Sequence, residues 1–170
     1  LVSSATYAPF GPMTSIAFGN GATQTMSYNQ RYLPQENKLV ANGRTIDDHT
    51  YLEDPVGNIT AISDALDAGY NRTSAYDDLN RLTTANSGSK LWGTAAGNGY
   101  AYDTMGNLTA TNLGTSVAVA FTYQPGGTGS TGLPLIKSLT VNGNPSNVSY
   151  DAIGSMLASG ANSYTYGARE

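Results

Sequence analysis

The chain has 170 residues, enough for one domain that could bury a core. Its 20 glycines and 12 tyrosines, with only 12% charged residues, suit short strands joined by frequent turns and disfavour helices. A net charge of −4 and a pI near 4.7 argue against nucleic acid or an anionic membrane as partner, and the absence of cysteine excludes a disulfide frame and thiolate chemistry.

In chain order, residues 13–18 and 22–28 flank Gly19-Asn20-Gly21, and Asn-Gly between two alternating runs is a strong hairpin signal. Residues 39–41 and 44–46 about Asn42-Gly43 predict a second, shorter hairpin. A strand is expected over 59–62, and 64–69, with some helical flavour, reads as a polar loop. Residues 72–76 and 81–85 flank the next bend, and 90–99, with the lone Trp92, predict a wide turn into Tyr100-Ala101-Tyr102. A strand over 117–123 leads into a Gly/Pro/Ser/Thr loop over 124–134, the best site for an exposed insertion or a proteolytic nick. Residues 135–141 and 147–150 around Asn142-Gly143 complete a third hairpin. No stretch of apolar residues is long enough to span a membrane, no signal peptide is visible, and no domain boundary shows.

One bend organises the rest. In Tyr102-Asp103-Thr104-Met105-Gly106-Asn107-Leu108-Thr109, Asp103 can accept hydrogen bonds from N–H groups two residues on. Gly106 and Asn107 are the residue types that best tolerate positive φ, and Tyr102 and Leu108 supply apolar bulk on either side. The pattern recurs as Tyr76-Asp77-Asp78-Leu79-Asn80-Arg81-Leu82-Thr83 and as Tyr150-Asp151-Ala152-Ile153-Gly154-Ser155. It recurs again as Asp54-Pro55-Val56-Gly57-Asn58-Ile59-Thr60, with Glu53 where Tyr is expected. Tyr28-Asn29-Gln30-Arg31-Tyr32-Leu33 is a degraded copy, and Tyr166 opens another near the end of the chain. Counted from the residue before the Asp, the copies fall at 28, 53, 76, 102, 150 and 166. The gap of 48 would hold two units, with Tyr123-Gln124-Pro125 as a ruined bend inside it. A period in the low-to-mid twenties denotes a repeat architecture.

These residues resemble the YD-repeat, or Rhs-repeat, family, on the strength of 102–109, 76–83 and 54–60, with Tyr7-Ala8-Pro9-Phe10-Gly11-Pro12 and Phe18-Gly19-Asn20-Gly21 similar to the family's lead-in. The resemblance covers essentially the whole chain. It implies an all-β fold, a ribbon of antiparallel hairpins forming a spiralling sheet or an open shell segment. Such shells occur in bacterial polymorphic toxins, insecticidal toxin complexes and animal teneurins. Residues 1–170 are then one YD-repeat β-domain, and the start at Leu1 and the stop inside a bend suggest a piece of a longer repeat protein.

Other motifs are better explained as turns. Gly127-Thr128-Gly129-Ser130-Thr131-Gly132 matches the glycine-rich dinucleotide pattern, but Leu133-Pro134 begins no helix to bind a pyrophosphate. Asn58, Asn71, Asn107 and Asn147 open glycosylation acceptor triplets, two of which arise from the bend itself. His49 beside Asp47 and Asp48 could bind a metal weakly, yet no second His or Cys exists to complete a site. No Gly-x-Ser-x-Gly elbow accompanies it to form a triad. Asp54-Pro55-Val56-Gly57 is similar to the site at which Rhs toxins release their C-terminal domain, but it lies inside an ordinary bend. Asp47-Asp48 and Asp77-Asp78 read as turn caps rather than acid–base pairs. The reading therefore assigns no catalytic, cofactor or metal residues, only the structural corners Tyr28, Asp54, Gly57, Asn58, Tyr76, Asp77, Asn80, Arg81, Tyr102, Asp103, Gly106, Asn107, Tyr150, Asp151, Gly154 and Tyr166.

The tyrosines can bury a flat ring while the hydroxyl keeps a hydrogen bond, and a repeat gains stability from its neighbours. Terminal strands would present unpaired N–H and C=O groups. The partners expected are flanking repeats or further copies of the chain through β-edges, with an enclosed polypeptide cargo or a surface glycan as ligand. Three roles follow for a bacterial extracellular or cell-surface protein: a non-catalytic shell segment, a fibre subunit joined through open edges, and a carbohydrate binder using exposed Tyr and Trp92.

Overall fold

The computed structural model describes residues 1–9, 11–93, 99–113, 117–124 and 135–167. They belong to two compact units, Leu1–Thr94 and Ala95–Glu170, each with its own sheet. The fold is all-β and antiparallel, with one short 3-10 turn, Ala68–Tyr70, among the described residues.

In the first unit the strands are β1 (Val2–Tyr7), β2 (Met13–Phe18), β3 (Thr23–Tyr28), β4 (Pro34–Ala41), β5 (Arg44–Glu53), β6 (Ile59–Asp64), β7 (Arg72–Tyr76) and β8 (Leu82–Ser87). The second holds β9 (Tyr100–Tyr102), β10 (Leu108–Leu113), β11 (Val117–Tyr123), β12 (Ile136–Val141), β13 (Asn144–Tyr150), β14 (Met156–Ser159) and β15 (Asn162–Ser163). Every strand pairs with its neighbours in sequence, so spatial order equals chain order in both sheets. Contacts of this kind are local, and each hairpin can form before the next.

Two kinds of connection recur. Asn42-Gly43 and Asn142-Gly143 join β4 to β5 and β12 to β13 as two-residue turns. Both residues of each have positive φ, from 49° to 82°, the geometry whose twist matches paired strands. The other kind is the five-residue corner, which follows β1, β3, β5, β7, β9 and β13. In the first unit corners alternate with the other connections, so the corners share one end of the sheet.

The strands run longer than their sequence signals. β4 and β5 have 8 and 10 residues, and β13 begins at Asn144 and passes through Pro145. β1, β14 and β15 carry no period-two apolar pattern and were not expected from it. Residues 64–69 divide between the end of β6 and the approach to the 3-10 turn, where Asp67 caps by accepting from the Gly69 N–H at 2.8 Å. The glycine-rich stretch 127–132 and residues 94–98 of the wide turn expected over 90–99 lie outside the described residues.

A chain of this length could bury a core, but these sheets enclose almost none. Among the described residues only Ala22, Asp48, Ala85, Gly99 and Val148 are buried. Asp48 is neutralised by Lys38 at 2.7 Å. Most strand residues are half-exposed, so each ladder is held by backbone pairing and cross-strand contacts.

Candidate functional site

The corner is one hydrogen-bonded ring repeated along the chain. At Asp103 the backbone N–H donates to the Asn107 carbonyl at 2.9 Å, and the Gly106 N–H donates back to the Asp103 carbonyl at 3.0 Å. The carboxylate fills the ring: Oδ1 accepts from the Met105 and Asn107 N–H groups, and Oδ2 from the Asn107 side-chain amide at 2.8 Å. Asp54 repeats this with Val56, Gly57 and Asn58, and Asp77 does so with Leu79 and Arg81, whose guanidinium Nε replaces the amide at 2.7 Å. Asp151 holds Ile153 and Ser155 in the same manner. Asn29 does the same through its amide oxygen with Arg31 and Leu33.

The fourth residue must take positive φ. Gly57 (101°), Gly106 (86°) and Gly154 (88°) do so freely, Asn80 (59°) at small cost, and Tyr32 (60°) with strain. This corrects the role expected of Asn107, which lies outside that region and acts through its side chain. The sequence pattern also passed over a corner at Ala8, where the Ala8 N–H donates to Pro12 and Gly11 donates back to Ala8 with no carboxylate inside. The signal available was Tyr7 and Gly11 at the standard spacing.

Donors converging on these carboxylates hold them below the usual range. For Asp77, Asp103 and Asp151 the largest causes are the Arg81 N–H, the Asn107 side chain and the Ser155 N–H. For Asp54 desolvation pushes upward most, and the bonds from Asn58, Gly57 and Val56 together outweigh it. These hydrogen bonds to each carboxylate come from its own turn, which is chemistry that locks a chain reversal.

The tyrosine before the corner performs a second task. Tyr28, Tyr76, Tyr123 and Tyr166 donate their hydroxyls to the carbonyls of Met13, Ile59, Leu108 and Met156, at 2.6 to 2.9 Å. Each acceptor is the first residue after the preceding corner. The tyrosine thus ties one reversal to the one before it, across the intervening strand pair. Tyr123 falls into this series although its corner is expanded: the Gln124 N–H donates to Leu135, and 125–134 lie between them outside the described residues. The gap of 48 therefore divides at Tyr123. Tyr102 and Tyr150 end β9 and β13 at their corners, paired with Leu108 and Met156.

Glu53 occupies the tether position after β5, where a carboxylate cannot donate. Its Oε1 is buried and lacks a hydrogen-bond partner. Direct links between corners compensate in this stretch: Tyr32 donates to the Pro9 carbonyl, Arg31 to that of Pro55 at 2.7 Å, and the Asn58 amide to Asn80 Oδ1 at 2.9 Å.

The remaining sequence candidates sit elsewhere. His49 faces Asp47 at 3.0 Å and Asp64 at 3.7 Å, while Asp48 points to the opposite face and Lys38, as alternation along a strand requires. Among the described residues no group of three or more His, Cys, Asp or Glu side chains could hold a metal. The Asn107 amide nitrogen donates within its corner, that of Asn58 donates to Asp54 and to Asn80, and Asn71 Oδ1 caps the Asp64 N–H. A cavity of about 180 Å³ is lined by Asn71, Arg72, Thr73, Asn86, Ser87 and Gly88, and one of about 650 Å³ by Ile153, Ser155, Tyr166 and Gly167. Between them these contribute a single aromatic ring, and Trp92 lines neither.

No protein-family model and no curated protein matches the chain. Solved structures do match. A crystal structure of TcdB2-TccC3-TEV aligns over 92% of this chain at 19% identity with a TM-score of 0.51. The Photorhabdus luminescens Tc holotoxin pore, which includes TccC3, aligns over 89% at 18% identity with the same TM-score. The chain spans 8% and 7% of the length of those two. At such identity the likeness is one of fold: an antiparallel β architecture shared with part of a Tc toxin chain.

Proposed function

We propose that the chain is a non-catalytic shell segment of a large secreted or cell-surface protein of the Rhs-repeat type, part of a wall that isolates a polypeptide cargo. The observation that carries this reading is the tether: a Tyr hydroxyl from one corner bonded to the carbonyl just past the previous one, four times along the chain. A device repeated at corner spacing stiffens a continuous ribbon and performs no reaction.

The near-absence of buried side chains supports the same conclusion, since a single-layer sheet needs neighbours on its faces. So do the corner tips. The third residue of each Asp corner is an exposed aliphatic or thioether side chain: Val56 at 65%, Leu79 at 71%, Met105 at 82% and Ile153 at 80%. Turn geometry does not ask for apolar groups there, whereas an adjoining wall would cover them. No helix among the described residues is long and apolar enough to cross a membrane.

A second reading, a fibre of stacked copies, draws on β1. Among the described residues it pairs only with β2, and all six of its residues are exposed, the character of a strand that accepts a further one. Electron microscopy separates the two readings. The 170-residue chain expressed with its flanking sequence should give closed hollow particles. Unbranched filaments would favour the fibre, and dispersed chains with a turnover dependent on His49 would overturn both.

A further inference from the structure

The segment after β8, the last strand of the first sheet, turns back over its own strand. The Gly88 N–H donates to Asn71 on the β7 side at 2.8 Å, so alternation along the strand directs the backbone groups of Ala85 and Ser87 outward. Both are taken. The Trp92 indole N–H donates to the Ala85 carbonyl at 2.8 Å, and the Ser87 N–H donates to the Gly93 carbonyl at 2.9 Å. The Gly93 N–H closes the loop on Ser87 Oγ at 2.8 Å.

The fold-back is anchored on the 3-10 turn. The Lys90 N–H donates to the Gly69 carbonyl, and Lys90 Nζ reaches Asp67 at 3.1 Å and lies 5.9 Å from the centre of the Tyr70 ring. Packing is tight enough that a Cβ on Gly88 would sit 2.5 Å from the Gly69 carbonyl oxygen and 2.6 Å from that of Ala68.

We propose that residues 88–93 are an edge guard that keeps a second copy of this chain from adding a strand to β8 along Ala85–Ser87. With the guard removed, the freed edge of β8 becomes available to a strand of another copy. The inference deepens the reading of the chain as a strand-pairing segment, and its test does not depend on whether hollow particles form.

The test is made on the full chain by sedimentation velocity over a concentration series, with circular dichroism verifying the β content. Trp92→Gly should self-associate at about tenfold lower concentration than the unmodified chain, since the edge bonds it frees become available between copies. Adding Ser87→Pro, which removes the outward N–H, should return the double variant to the original behaviour. Trp92→Phe keeps the ring and frees only the Ala85 carbonyl, giving a smaller shift in the same direction. The unmodified chain supplies an independent readout: the Ser87 amide should exchange as slowly as that of Gly88. Trp92→Gly sedimenting unchanged, the double variant assembling as readily as the single, or a Ser87 amide exchanging at the rate of open chain would each overturn the guard.

Discussion

Removing one hydroxyl should measure what a tether contributes. Tyr76→Phe leaves the ring in place and deletes the donor to the Ile59 carbonyl, a 2.9 Å bond in a partly buried setting. A neutral hydrogen bond of this kind is worth about 1 kcal/mol net, and for a chain of this size that lowers Tm by about 2–4 °C. Glu53→Tyr is the converse. By the rule the other tyrosines follow, a hydroxyl at 53 would reach the Pro34 carbonyl, the first residue of β4 after the Asn29 corner. The change also removes a buried carboxylate oxygen with no partner, so a gain of about 1–3 kcal/mol is expected. Urea unfolding followed by circular dichroism resolves both, because a shift of midpoint at constant slope reports stability alone. Opposite signs support the tether. Tyr76→Phe unfolding with the original midpoint, together with a destabilised Glu53→Tyr, would refute it.

Gly106→Val forces a β-branched residue to a φ of 86° and should cost about 1–3 kcal/mol, seen as a lower urea midpoint and faster proteolysis near the corner. Acid should loosen the fold in a defined direction. Asp54, Asp77, Asp103 and Asp151 have folded pKa values below their ordinary ones, so the unfolded chain takes up protons first as pH falls. Their contribution is complete above the ordinary carboxylate range and is lost as pH drops through the folded values. A urea midpoint that stays level across that fall would contradict it, and in Asp103→Asn the fall should be shallower. Gly88→Ala meets backbone oxygens and should open the guard, raising the exchange rate of the Ser87 amide while leaving β1 to β4 unchanged.

Much of the fold was legible in the chain because its signals are local. Asn-Gly pairs require positive φ at both positions, so the hairpins at 42–43 and 142–143 follow from two residues each. An Asp followed three residues later by Gly or Asn closes a ring on its own backbone, which is why the corners at 54, 77, 103 and 151 could be read directly. The corner at Ala8 escaped because its ring is backbone only and lacks the carboxylate that marks the others. β1 escaped because a strand exposed on both faces needs no alternating pattern, and β14 because four residues are too few to show one.

The amino-acid sequence alone determined the bends, their spacing and the antiparallel ribbon they imply, since each depends on a few adjacent residues. Only the tertiary structure decided what the tyrosines hold, which carboxylates His49 faces, that Glu53 lacks a partner, and that Trp92 covers the outer edge of β8. The acceptors in the tethers and the guard are backbone carbonyls, which every residue carries. Nothing in a side-chain pattern can single one out until strand pairing brings it within reach.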